Sequence, residues 1–189
     1  SKLMIGAKIQ NYRKILRRYI RDYGECREVE YAAEMLDMSK RDALNAKDKT
    51  MLLGFEGLAS NVYFEVLPWL ILNQKDSFPF NGRNRRPPKD AVNAMLSLAY
   101  TLIANDCAAA LETVGLDPYV GFFHRLRPGR TSLALDMMEE FRAYLGDRFV
   151  LSLINKRQIT PKDFLRQGDN GVVMTDKGRK TFLTAWQNR

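Results

Sequence analysis

With 189 residues, 46% of them hydrophobic, the chain is long enough for one domain with a real core and too apolar for a disordered tail. Lysine and arginine outnumber aspartate and glutamate by 30 to 22, a net charge of +8, which favours a polyanionic partner without choosing among nucleic acid, acidic membrane and acidic protein. The longest nearly apolar run, Ala94 to Ala104, is about half a membrane span, no signal segment opens the chain, and Cys26 and Cys107 stand alone; a soluble, cytoplasmic protein with no membrane partner is expected.

In chain order, residues 8 to 23 read as an amphipathic helix. Ile9, Tyr12, Leu16, Tyr19 and Tyr23 recur at spacings of three and four, while Lys8, Arg13, Lys14, Arg17, Arg18 and Arg21 fill the other faces. A second helix is expected from Val29 to Leu36 and a long one from Lys40 to Leu72, with Gly54, Gly57 and Pro68 as its weak points. Residues 73 to 89 are a basic loop of turn residues and clustered arginines. An Ala- and Leu-rich helix follows from Asp90 to Val114, closed by Gly115. A short helix or turn around 116 to 123 leads into an arginine-rich loop. Ser132 stands where it can cap a helix reaching about Leu145. Residues 147 to 159 read as helical, 169 to 175 as a small β-hairpin excursion, and 176 to 187 as a closing helix. The expected class is mainly α.

Few residues in this pattern can carry chemistry. The single histidine, His124, excludes zinc motifs that need two; alone, it is more often structural than functional. It precedes Arg125, Arg127 and Arg130. Asp136, Glu139 and Glu140 share one side of the next helix, which by itself describes a solvated acidic face. Framed by arginines, the same acids could hold a divalent metal where phosphate approaches. Glu56 is flanked by core positions, so it must be ion-paired, protonated or metal-bound. Asn93 and Ser97 suit core hydrogen bonding. Phe78, Phe80, Tyr119, Phe122 and Phe123 are core candidates that lie near the basic segments, where unpaired bases could stack.

Four segments carry a resemblance when read together. They are Glu-Gly-Leu-Ala-Ser-Asn-Val-Tyr-Phe (56 to 64), Asn-Arg-Arg-Pro-Pro-Lys-Asp-Ala-Val-Asn-Ala-Met-Leu-Ser (84 to 97), Gly-Leu-Asp-Pro-Tyr-Val-Gly-Phe-Phe-His (115 to 124) and Arg-Pro-Gly-Arg-Thr-Ser-Leu-Ala-Leu-Asp-Met-Met-Glu-Glu-Phe-Arg (127 to 142). In order and spacing they resemble the helical domain of the CRISPR-associated integrase family, over nearly the entire chain. The resemblance implies a metal-dependent endonuclease and integrase that inserts spacer DNA into a CRISPR array. It implies Mn²⁺ or Mg²⁺ held by Glu56, His124 and Glu139, with Asp136 as a supporting acid. It also implies DNA partners, both double-stranded and branched (prespacer and CRISPR repeat), self-association as a dimer, and a small ferredoxin-like adaptation subunit. Arg83, Arg85, Arg86, Arg125, Arg127 and Arg130 would then hold DNA backbones. Family members begin with a β-rich domain and continue past the Trp186 region, so residues 1–189 are expected to be a single helical domain from a longer protein. Two other readings of the residues stand beside this one: a catalytically silent basic DNA-binding module, and a helical scaffold for an acidic protein.

Overall fold

The computed structural model describes residues 1–125, 127–168 and 171–189, and it is mainly α-helical as the pattern predicts. The helices are α1 (Lys2–Tyr23), α2 (Arg27–Asn45), α3 (Lys49–Val66), α4 (Ala91–Thr113), α5 (Ser132–Phe141), α6 (Arg148–Asn155) and α7 (Asp176–Gln187). A two-stranded antiparallel hairpin, β1 (Phe164–Gln167) and β2 (Gly171–Met174), pairs Phe164 with Met174 and Gln167 with Gly171. The hairpin begins upstream of its expected range, and two residues of that range, Asp169 and Asn170, lie outside the described residues.

Helix α1 is the hub, packing on α2, α3, α5 and the segment after α5. The first part of its predicted apolar stripe is buried, Ile9, Tyr12 and Leu16 lying within 1% of complete burial with Ile5 before them, whereas Tyr19 is half-buried and Tyr23 is exposed where the helix runs past the core. Tyr12 stacks on Tyr63 of α3 with ring centroids 4.0 Å apart, locking the two helices side by side. Asn11 donates to the Glu140 carbonyl at 2.8 Å and ties α1 to α5.

The expected long helix from Lys40 to Leu72 is two helices. α2 stops at Asn45, and Asp48 starts α3 by accepting the Met51 N–H at 2.8 Å. Gly54 and Gly57 leave α3 unbroken, whereas Pro68 falls where it gives way to a 3₁₀ turn, Leu67–Leu70. Ser132 does not cap α5 either. It is the helix's first residue, and its hydroxyl donates to the carbonyl of Arg125 at 3.2 Å. Between α5 and α6, Arg142–Asp147 form one π-helical stretch, a departure that the sequence pattern does not signal. The expected helix over 147 to 159 ends at Asn155.

Helix α4 is long and apolar enough to cross a membrane by composition. Here it is a core element, packed on α5, α6, the π-helical stretch and β2, with Val92, Met95, Leu96, Ala99 and Ile103 buried.

Candidate metal centre

Glu56, His124 and Glu139 come from three separate elements and line one cavity of about 370 Å³. Lys49, Arg85, Arg125 and Arg142 line the same cavity, so a cluster of acids and one imidazole sits in a cationic rim. Asp136 and Glu139 are 0% and 4% exposed, which overturns the solvated-face reading for both; Glu140 is exposed, as that reading expects.

Asp136 organises the histidine. Its Oδ2 accepts the N–H groups of Phe122 and Phe123 at 2.7 and 2.9 Å. Its Oδ1 accepts the His124 N–H at 2.8 Å and lies 2.6 Å from His124 Nδ1. A carboxylate oxygen there requires the proton on Nδ1, so the neutral ring presents a lone pair at Nε2. That Nε2 lies 3.9 Å from Glu139 Oε1. The loop can lie this close to α5 because residue 121 is glycine: a Cβ there would stand 2.7 Å from Ser132 and 2.8 Å from the Asp136 carboxylate.

Lys8 supplies the counter-charge, and here the helical pattern misleads. Instead of joining a solvated face, Lys8 is 2% exposed; its ammonium donates to Glu56 Oε1 and lies 2.7 Å from Glu139 Oε2. Its position four residues before Tyr12, on the buried side of α1, is the signal that could have placed it. Burial opposes the Lys8 charge, but the field of Tyr12, Glu139 and Glu56 more than offsets that and holds its pKa above the ordinary value. Burial likewise pushes the Glu139 carboxyl upward, yet Lys8 and Arg142 pull it below the usual range. Arg142 reaches Glu139 Oε1 at 3.0 Å from the start of the π-helical stretch. Ser60, one turn beyond Glu56, donates to its Oε1 at 3.0 Å.

A second buried cluster lies behind the first. Arg142 packs over the Tyr100 ring, 4.8 Å from its centroid, and the Tyr100 hydroxyl donates to Asp147. Asp147 is completely buried, and burial raises its carboxyl to about 6 despite the Tyr100 hydrogen bond and the Arg142 charge.

The six arginines expected at DNA divide. Arg85 and Arg125 are exposed at the cavity, and Arg86 and Arg127 are exposed beyond it. Arg130 is half-buried. Arg83 turns inward, donating to the Asn84 carbonyl, to Asn93 at 2.8 Å and to Ser97 at 3.0 Å. Asn93 and Ser97 thus accept from the half-buried Arg83 guanidinium. Among the aromatics, Phe78, Phe80 and Phe123 are core, while Tyr119 and Phe122 are exposed.

The donor set suits a hard divalent ion in type: two carboxylates and one imidazole nitrogen fixed by a carboxylate behind it. Among the described residues, no three His, Cys, Asp or Glu side chains converge tightly enough to enclose an ion, since the Lys8 ammonium stands between the two glutamates. The fold and site together define a helical domain that sets a carboxylate–imidazole cluster at the floor of a basic cleft.

Residues 1–188 match the family model described as CRISPR associated protein Cas1. A CRISPR-associated endonuclease Cas1 of Rhodospirillum rubrum is 48% identical over 195 residues, covering 100% of this chain and 57% of that protein. A solved casposase bound to integration product superposes with a TM-score of 0.84 at 26% identity, over 99% of this chain and 51% of that one. The Cas6-RT-Cas1–Cas2 complex contains a chain that superposes at 0.86 with 26% identity, over 100% of this chain and 20% of that one. This chain belongs to the Cas1 family of CRISPR-associated proteins. It spans about half the length of the curated relatives it matches first, 57% and 56%.

Proposed function

We propose that this chain is the helical catalytic domain of a longer, cytoplasmic CRISPR integrase, in which Glu56, His124 and Glu139 hold Mn²⁺ or Mg²⁺ for cleavage and transesterification of DNA. One observation carries this reading: Asp136 fixes the His124 ring with Nε2 turned toward Glu139, inside a cleft that Glu56 shares. A lone structural histidine has no need of an oriented, uncapped Nε2 facing a second buried acid.

A bound divalent ion would polarise the phosphodiester and activate the attacking 3′-hydroxyl or water. The protein's own groups do the rest. Asp136 keeps the imidazole proton on Nδ1. Arg142 holds Glu139 in place. Arg85 and Arg125 face the cleft and bind the phosphates flanking the reacting one, with Arg86, Arg127 and Arg130 extending the track outward. Arg83 supports that surface from beneath through Asn93 and Ser97. The structural neighbours solved with an integration product and in a complex with Cas2 support DNA and a Cas2 subunit as partners; double-stranded and branched DNA (prespacer and CRISPR repeat) and a small ferredoxin-like fold for that subunit belong to the same reading. Dimerisation of the whole protein belongs to the same reading.

The reading of the chain as a silent binding module has one observation in its favour. Lys8 neutralises Glu56 and Glu139 without any metal. The two readings separate on branched DNA: an integrase domain cleaves it with Mn²⁺ or Mg²⁺, stops in EDTA, and loses the activity on Glu139→Gln. Binding that is indifferent to EDTA, with no cleavage under any metal, would leave only the module.

A further inference from the structure

The proposed chemistry does not use Lys8, although it is a fully buried ammonium in contact with two of the three proposed ligands. We propose that Lys8 is a resident cation that holds Glu56 and Glu139 in position for a divalent ion and is displaced from them when that ion binds. This rests on the metal reading above, and it assigns a positioning role to a residue of α1, the one element of the cluster that contributes no proposed ligand.

Two adjacent carboxylates in a desolvated site repel each other unless a cation stands between them. Lys8 is that cation. It joins α3 to α5 through Glu56 and Glu139, next to the Tyr12–Tyr63 stack that joins α1 to α3. The same position makes it a competitor, because an ammonium and a divalent ion sharing those oxygens would be like charges at close range. The contacts are graded for exchange. Glu139 Oε1 has its own donor in Arg142 at 3.0 Å, so Glu139 stays held when Lys8 leaves. Glu139 Oε2 lies 2.7 Å from the Lys8 ammonium at a poor angle for a hydrogen bond and has no other donor. Ser60 likewise keeps a hydrogen bond to Glu56. The flexible four-carbon stem of lysine lets its head move without the helix, and the Tyr12 ring face, 5.8 Å away at its centroid, offers the charge an alternative partner.

The sign of one measurement separates this role from a structural one. Mn²⁺ affinity of the 189-residue chain is read by calorimetry or by electron paramagnetic resonance, for the wild type, Lys8→Met, Lys8→Arg and Glu139→Gln. Removing a competing charge should tighten Mn²⁺ binding by at least about tenfold in Lys8→Met. Lys8→Arg should bind no tighter than the wild type, and Glu139→Gln should lose binding. Equal or weaker Mn²⁺ binding by Lys8→Met, with the wild type binding and Glu139→Gln not, overturns the Lys8 role and leaves the metal site standing. No Mn²⁺ binding by any of the four overturns both. Because Lys8→Met removes a buried counter-charge and could fail to fold, the wild type gives a second reading. The ¹⁵N-labelled Lys8 ammonium, protected by burial, should give a resolved resonance in EDTA and lose or shift it on saturation with Mg²⁺. An unchanged Lys8 resonance in saturating Mg²⁺ refutes displacement.

Discussion

Replacing Asp136 by asparagine changes two atoms' worth of chemistry and little shape, which makes it a sharp probe of the His124 arrangement. The carboxylate is 0% exposed and serves four donors: three backbone N–H groups at 2.7 to 2.9 Å and His124 Nδ1 at 2.6 Å. Asparagine keeps one acceptor oxygen and turns the other into an N–H₂ donor. If the amide nitrogen replaces Oδ2, the N–H groups of Phe122 and Phe123 lose their acceptor. If it replaces Oδ1, the His124 N–H loses its own, and the ring must move its proton to Nε2, which removes the lone pair facing Glu139. Two buried donors left unsatisfied cost about 4 kcal/mol together. For a domain of this size that is a fall of roughly 8 to 16 °C in melting temperature. Urea denaturation gives the stability and calorimetry the Mn²⁺ affinity, and both should drop. An Asp136→Asn variant within about 1 kcal/mol of the wild type, with Mn²⁺ binding intact, would refute the role given to this carboxylate.

Two further expectations follow from charge. Asp147 is raised to about 6 from an ordinary 3.8, so its contribution is fully present below about pH 4 and lost as pH rises through 6; the gap corresponds to about 3 kcal/mol. The stability of the wild type minus that of Asp147→Asn, from denaturation at a series of pH values, should fall by about that much between pH 4 and 7.5, and parallel curves would contradict it. DNA binding should weaken steeply with salt: with about six phosphates contacted, log K falls by roughly 5 per decade of salt, and a flat titration would remove the arginine loops from the DNA surface.

How much of this was legible depends on which force acts at each residue. The buried face of α1 was readable because Ile9, Tyr12 and Leu16 repeat at helical spacing. The break between α2 and α3 was not, because residues 46 to 48 contain neither glycine nor proline and only the Asp48 cap marks it. Glu56, His124 and Glu139 could be grouped only through motif resemblance, since their meeting is tertiary. The burial of Lys8 and the inward contacts of Arg83 were not legible, for one reason. Composition treats a cation as a solvated or phosphate-facing group, whereas each here finds polar partners within the fold: Glu56 and Glu139 for Lys8, Asn93 and Ser97 for Arg83. The π-helical stretch has no local signature; it brings Asp147 to Tyr100, a contact that no spacing rule encodes, whereas Arg142 and Glu139 pair at ordinary i,i+3 helical spacing.

The central claim is that Glu56, His124 and Glu139 share one divalent ion. It is tested most directly by a crystal of this chain soaked in Mn²⁺, with data collected at the manganese edge. An anomalous peak is expected in the cleft, bounded by His124 Nε2 and the two glutamates, with His124 Nδ1 still on Asp136. A well-diffracting soaked crystal with no peak there, or with manganese bound only at other surface acids, would contradict it.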